Sequence, residues 1–250
     1  MFSPQIDGLL SVVDKISKEA NNNKKDDTLV SIESTIPKGT SRKIFELLNH
    51  RFHVVHAPHR WYALEEKEHG VNQLRVIGGV SDCCLRAGMQ FYSGDRNNDN
   101  KNDNTRVVEE QDSSSSSSLL SQFHLPRSLG ISMHPVSNID TAEITKIAEN
   151  SHRYLQIAFA EDLYLYCQAN NINFSELRDA LNTKWNVNIL EPREGIGGHC
   201  LPKDTRMFLQ SSSNGKRSKI LTAAMEVDED YKVFRTKLDK AIKISCYSRR

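Results

Sequence analysis

Apolar residues recur at helical spacing near the start of the chain. Ile6, Leu9, Leu10, Val12, Val13 and Ile16 predict an amphipathic helix over residues 5–19. A polar run at 21–27 follows, read as a loop, and then Thr28-Leu29-Val30-Ser31-Ile32 has the continuous apolar character of a buried strand. The next elements are a turn through Glu33 to Thr40, a helical pattern from Ser41 to Leu48 and a strand from Phe52 to His56. Strand, turn, helix, strand is the order of an α/β fold. Arg75 to Val80 reads as another strand running into a turn, and Ser81 to Tyr92 as a helix. The adjacent Cys83 and Cys84 fall on that helix and are expected to pack rather than to bond to each other. From Asp140 a single helical pattern extends to about Asn170, which at 1.5 Å per residue is ~45 Å. Its apolar positions (Ile144, Ile147, Leu155, Ile157, Phe159, Leu163, Leu165) exceed one stripe, so the helix needs more than one partner surface. Shorter helices are predicted over 174–181 and 218–231, and residues 232–250 carry many Lys and Arg with little apolar order.

Composition interrupts this pattern once. Residues 94–118 collapse into Asn, Asp, Arg and Glu and then six consecutive serines, which cannot bury a core, and a disordered insertion is expected there. The 250 residues suffice for one or two domains. A net charge of +1 gives no reason to expect nucleic acid or an anionic membrane as partner. No apolar run approaches the roughly 18–20 residues of a membrane span, and the N-terminus lacks the basic-then-apolar order of a signal peptide. Five cysteines, odd in number and without zinc-finger spacing, fit free thiols in a reducing cytoplasm, with no metal expected.

Candidate chemistry concentrates in Gly195-Ile196-Gly197-Gly198-His199-Cys200-Leu201-Pro202-Lys203-Asp204. The glycines allow tight turns and close approach of another molecule. Pro202 suits the first turn of a helix, and Asp204 places a carboxylate near its positive end. A helix N-terminus and the neighbouring Lys203 both favour a thiolate at Cys200, the setting of a nucleophilic cysteine. A glycine loop with a structural cysteine is the other reading of the same residues. Upstream, Lys146 and Asn150 are four apart on the long helix and share a face, with Arg153 close to it.

Together these two stretches resemble the UDP-glucose/GDP-mannose dehydrogenase family, the nucleotide-sugar dehydrogenases. In that family a lysine and an asparagine of the central helix face a Gly-Gly-x-Cys-x-Pro-x-Asp loop. The similarity covers roughly residues 28–92 and 129–210, and the Gly-Gly-His-Cys form leans toward the UDP-N-acetylhexosamine branch, of the UDP-N-acetylmannosamine type. It implies an α/β fold: a partial Rossmann-like cofactor domain (residues 1–125) followed by an all-α central dimerisation domain built on the long helix (126–231), with 232–250 unmatched. It further implies oxidation of the C6 alcohol of a UDP-sugar to the carboxylate with NAD, in two steps through a thioester on Cys200. Lys146 and Asn150 would stabilise oxyanions, and Asp204 would position or deprotonate water. Thr35 and Lys203 would lie at the cofactor, and Gly197, Gly198, Arg153 and His59 at the substrate. His59 departs from the pattern, since relatives carry a glutamate in the corresponding Ser-Pro-Glu-Arg.

The chain contains no Gly-x-Gly-x-x-Gly turn. Against the family pattern it is expected to be shortened at both ends, lacking the first half of the cofactor domain and the C-terminal nucleotide-binding domain. The alternative function is therefore an inactive relative that acts as a dimerising interaction protein. A homodimer through residues 140–170 is expected, and the inactive relative would pair with itself or with a full-length paralogue.

Overall fold

The structure is a computed structural model, and it describes residues 6–20, 28–60, 73–94, 128–212 and 218–247. The polar run at 21–27 and nearly all of the Asn/Ser-rich insertion lie outside the described residues. The chain divides into two compact units, Ile6–Ser34 with Gly39–Ala142, and Thr35–Lys38 with Glu143–Arg250.

The first unit contains α1 (Asp7–Ala20), β1 (Leu29–Ile32), α2 (Thr40–Leu47), β2 (His53–His56), β3 (Arg75–Gly79), α3 (Asp82–Tyr92) and β4 (Met133–Val136). The strands form one sheet in the order β1-β2-β3-β4. β1 runs parallel to β2, as the intervening helix requires, and β3 runs parallel to β4. Between these pairs β2 and β3 are antiparallel, with Val55 opposite Gly79 and His56 opposite Gly78. The glycines of β3 are explained by crowding. A Cβ on Gly79 would collide with the Leu85 backbone nitrogen, and one on Gly78 would lie 2.9 Å from the Ile139 Cα. The core joins Val55, Ala57 and Ile77 of the sheet region to Cys84 and Tyr92 of α3 and to Ile131 and Met133. Ser81 caps α3 by accepting a hydrogen bond from the Cys84 amide. Cys84 is buried, as packing requires, whereas Cys83 is exposed.

The second unit is helical. It is built from α4 (Ile139–Ala169), which begins within the first unit, α5 (Phe174–Asn182), α6 (Cys200–Gln210) and α7 (Lys219–Tyr247). An α/β segment followed by an all-α one is the order the sequence predicts. The buried residues Ile147, Ser151, Tyr154, Ala158 and Glu161 recur every three or four positions along α4 and form one stripe. Tyr154 and Ala158 pack with Ile196 and Ala224, and Tyr164 makes edge contacts with Phe174, Tyr231 and Phe234. Asn173 caps α5, and the Asn182 amide closes the following loop by bonding both the amide and the carbonyl of Ile189. α7 runs on past Tyr231, where the apolar pattern thins, to Tyr247.

Candidate active site

The glycine loop is bent by left-handed backbone at Gly195 (φ 90°) and Gly198 (φ 76°), a region that favours glycine. Its first half is fastened to α7. Asp228 Oδ1 accepts from the Ile196 amide at 2.8 Å, and Lys232 Nζ donates to the Ile196 carbonyl at 2.9 Å. Asp228 and Lys232 are one helical turn apart and pair at 2.7 Å, while Tyr154 Oη donates to Asp228 Oδ2 at 2.9 Å. Tyr231 Oη donates to the Arg193 carbonyl, and Arg235 reaches Glu194 at 3.2 Å. A Cβ on Gly195 would meet the Lys232 stem at 2.6 Å, so the loop lies directly on that side chain. Among the described residues the second half has no such ties. Gly197, Gly198 and His199 are exposed, and a Cβ on Gly197 would have open space around it.

Cys200 is the first residue of α6 and is exposed. One turn further on, Asp204 is 1% exposed. Its Oδ2 accepts from Asn150 Nδ2 of α4 at 2.5 Å, and its Oδ1 pairs with Lys203 Nζ at 2.8 Å. Asn150 and Asp204, predicted from separate stretches, are thus brought together, with Cys200 on the same helix face as Asp204. Lys146 lies half-buried one turn before Asn150 and has no hydrogen-bond or ion-pair partner among the described residues. Arg153 is exposed and, among the described residues, reaches Gln156 alone, at 3.4 Å. Thr35 is half-buried in the turn that follows β1. His59 belongs to the first unit, where its ring lies 2.8 Å from Arg75 Nη2 and 3.1 Å from Glu33 Oε2. Tyr92 Oη donates to Glu33 at 2.5 Å; burial, reinforced by that carboxylate, pushes the phenol up to about 12.

Sequence reasoning missed the residues that hold the loop. Asp228 and Lys232 show only as an i,i+4 pair on a helix, which by itself signals a surface ion pair. Glu161 gives no signal at all. It is fully buried, and neither carboxyl oxygen has a hydrogen-bond partner among the described residues. Burial pushes it up to about 8, the Asp228 charge adds to this, and Lys232 opposes it. The folded protein therefore holds a proton on Glu161 that the unfolded chain releases above the ordinary value of 4.5. The associated stability is complete below 4.5 and is lost as pH rises toward about 8. Glu161→Gln should keep its melting temperature from about pH 5 to about pH 9, where the native chain declines by the equivalent of roughly 2–4 kcal/mol. Parallel melting curves for the two chains would reject this.

Residues 140–230 match the UDP-glucose/GDP-mannose dehydrogenase family, central domain. Over 99 residues the chain is 40% identical to a UDP-N-acetyl-D-mannosamine dehydrogenase of Escherichia coli (strain K12), covering 40% of this chain and 23% of that protein. It is 26% identical over 206 residues to a UDP-N-acetyl-D-mannosamine dehydrogenase of Methanococcus maripaludis (strain C7), covering 82% of this chain and 40% of the relative. A solved UDP-D-ManNAc dehydrogenase from Pyrococcus horikoshii shares the fold with a TM-score of 0.66 at 25% identity, over 94% of this chain and 50% of that one. The chain spans half or less of the length of these relatives. The matched region contains Lys146, Asn150, Cys200 and Asp204, the residues just described, so the segment that carries the candidate site, residues 140–230, is a UDP-glucose/GDP-mannose dehydrogenase central domain.

Proposed function

We propose that this chain carries the cysteine part of a nucleotide-sugar 6-dehydrogenase, which oxidises the C6 alcohol of a UDP-sugar to the carboxylate. The observation that supports it is the Asn150–Asp204 bond, which ties the α4 and α6 motifs into one cluster beside Cys200. In this reading residues 1–125 supply the cofactor side and 126–231 the catalytic and dimerising part. NAD, when bound, accepts the hydride in each oxidation. Thr35 and Lys203 are the residues here that would lie at it, while the chain has no Gly-x-Gly-x-x-Gly turn for its pyrophosphate.

The residues of the cluster divide the remaining work. The Cys200 thiolate attacks the C6 aldehyde, forming a C–S bond and placing the electron pair on the former carbonyl oxygen. Lys146, with no partner of its own among the described residues, offers a cation to that oxyanion, and Asn150 has a second N–H to offer. Gly197 and Gly198 leave backbone exposed for the substrate, and the exposed Arg153 offers it a cation. In the hydrolytic step water adds to the thioester carbon, the C–S bond breaks, and Cys200 leaves as thiolate. Asp204 takes part as an ion pair with Lys203, which holds the carboxylate in place. We place this chemistry in the reducing cytoplasm, where the thiols remain free. Among the described residues no helix is long and apolar enough to cross a membrane.

The test separates capture from oxidation. Incubated with the C6 aldehyde of a UDP-N-acetylhexosamine, the chain should gain the mass of the sugar on Cys200, and Cys200→Ala should gain none. An NAD titration of the same sample tells whether the chain binds cofactor. Absence of both signals would favour the dimerising, inactive reading instead.

That second reading shares one expectation with the first. Phe159 and Tyr166 are each 57% exposed, and with the half-buried Leu155 and Leu163 they make an apolar stripe along α4. Such a stripe fits a helix that pairs with a second copy of the chain. Phe159→Glu should convert a dimer to a monomer in sedimentation at micromolar concentration; a native chain already monomeric there would end the proposal.

A further inference from the structure

We propose that His53, Cys83 and Cys84 form a binding site for a single Zn2+ ion on the first unit, apart from the Cys200 cluster. Their ligand atoms all lie within 4.8 Å of one another. His53 is the first residue of β2, and the two cysteines stand in the first turn of α3, so two elements converge on the site. A disulfide does not account for the pair. Adjacent Cα atoms are about 3.8 Å apart, short of the roughly 4.4 Å at which ordinary disulfides begin. Packing accounts for Cys84, which is 1% exposed, but not for Cys83, which is exposed beside a half-buried histidine.

The donor set suits a borderline-soft cation. Zn–S bonds of about 2.3 Å and Zn–N bonds of about 2.0–2.1 Å in a tetrahedron put neighbouring donors roughly 3.4–3.8 Å apart. Closing from 4.8 Å takes roughly 1–1.4 Å of side-chain movement at most, which the exposed Cys83 can supply. Two thiolates and a neutral imidazole neutralise the dication, so the ion can sit at the edge of a core. Both sulfurs stand in the first turn of α3, at the helix end that suits anionic ligands. Ser81 Oγ lies 3.1 Å from Cys83 Sγ and 3.0 Å from Cys84 Sγ, placed as an outer hydrogen-bond donor that orients a ligating sulfur. Three protein ligands leave the fourth position to water on the exposed side. The ion would tie the start of β2 to the first turn of α3.

Co2+ is the probe. The reduced full chain, kept free of oxygen, should take up one equivalent of Co2+ with a thiolate-to-metal absorption band that Zn2+ abolishes. Cys83→Ser, a change at an exposed position, and His53→Gln should each weaken binding at least about tenfold. Cys200→Ser should leave it unchanged. Absence of the band in the native chain would overturn the proposal. So would Co2+ binding of native affinity in Cys83→Ser, or loss of the band in Cys200→Ser, because other thiols would then hold the ion.

Discussion

A chain carrying Asp228→Ala should lose about 3–5 kcal/mol of stability, the usual cost of removing one partner from a buried charged network. Asp228 is nearly fully buried and accepts three bonds, from the Ile196 amide, Tyr154 Oη and Lys232 Nζ. The Lys232 side chain is 42% exposed, so water screens that ion pair and takes over once the carboxylate is gone. The larger share of the loss comes from the Ile196 amide and the Tyr154 hydroxyl, which would be buried without an acceptor. Tyr154 reports the same environment, since burial and the Asp228 carboxylate hold its phenol well above the ordinary value. Asp228→Asn retains an acceptor for Ile196 and should lose about half as much. Denaturant melts give the magnitude, and hydrogen exchange at Ile196 locates it. A loss under about 0.5 kcal/mol, with the Ile196 amide still protected, would show that the glycine loop keeps its shape without α7.

These anchors mark where reading the sequence stops. A strand, a turn and a helix each have local signatures, so the β1-α2-β2 unit and the length of α4 are legible from spacing alone. The antiparallel pairing of β2 with β3 is not, because periodicity carries no strand direction. The far end of α7 carries a helical pattern in Phe234, Leu238 and Ala241, but lysines surround it and thin the stripe. The candidate site follows the same division. Cys200 and Asp204 share a helix face by their spacing, and so do Lys146 and Asn150. Spacing does not show that the Lys203 ammonium pairs with the adjacent Asp204. The partners of Ile196 and His59 come from distant segments, and only the fold brings them together.

The proposed chemistry separates most sharply at Lys146 and Asn150, which local sequence treats as equals. Lys146 has no partner among the described residues, so Lys146→Met removes a charge without orphaning any group there. Its folding stability should stay within about 0.5 kcal/mol of the native chain. Capture of the UDP-sugar aldehyde by Cys200 should slow about 10²–10³-fold, the usual effect of losing one oxyanion donor. Asn150 is different because its amide already holds the buried Asp204 carboxylate at 2.5 Å. Asn150→Ala should therefore slow capture and also cost about 1–3 kcal/mol of stability through the unmet Asp204 oxygen. Asn150→Asp sets two carboxylates against each other in that space and should be the more damaging change. Rates of adduct formation by intact mass, set beside melting curves of the same variants, measure both quantities. Equal capture rates in native and Lys146→Met chains would remove the lysine from the mechanism. A loss of stability without a loss of rate in Asn150→Ala would leave Asn150 as a strut for Asp204.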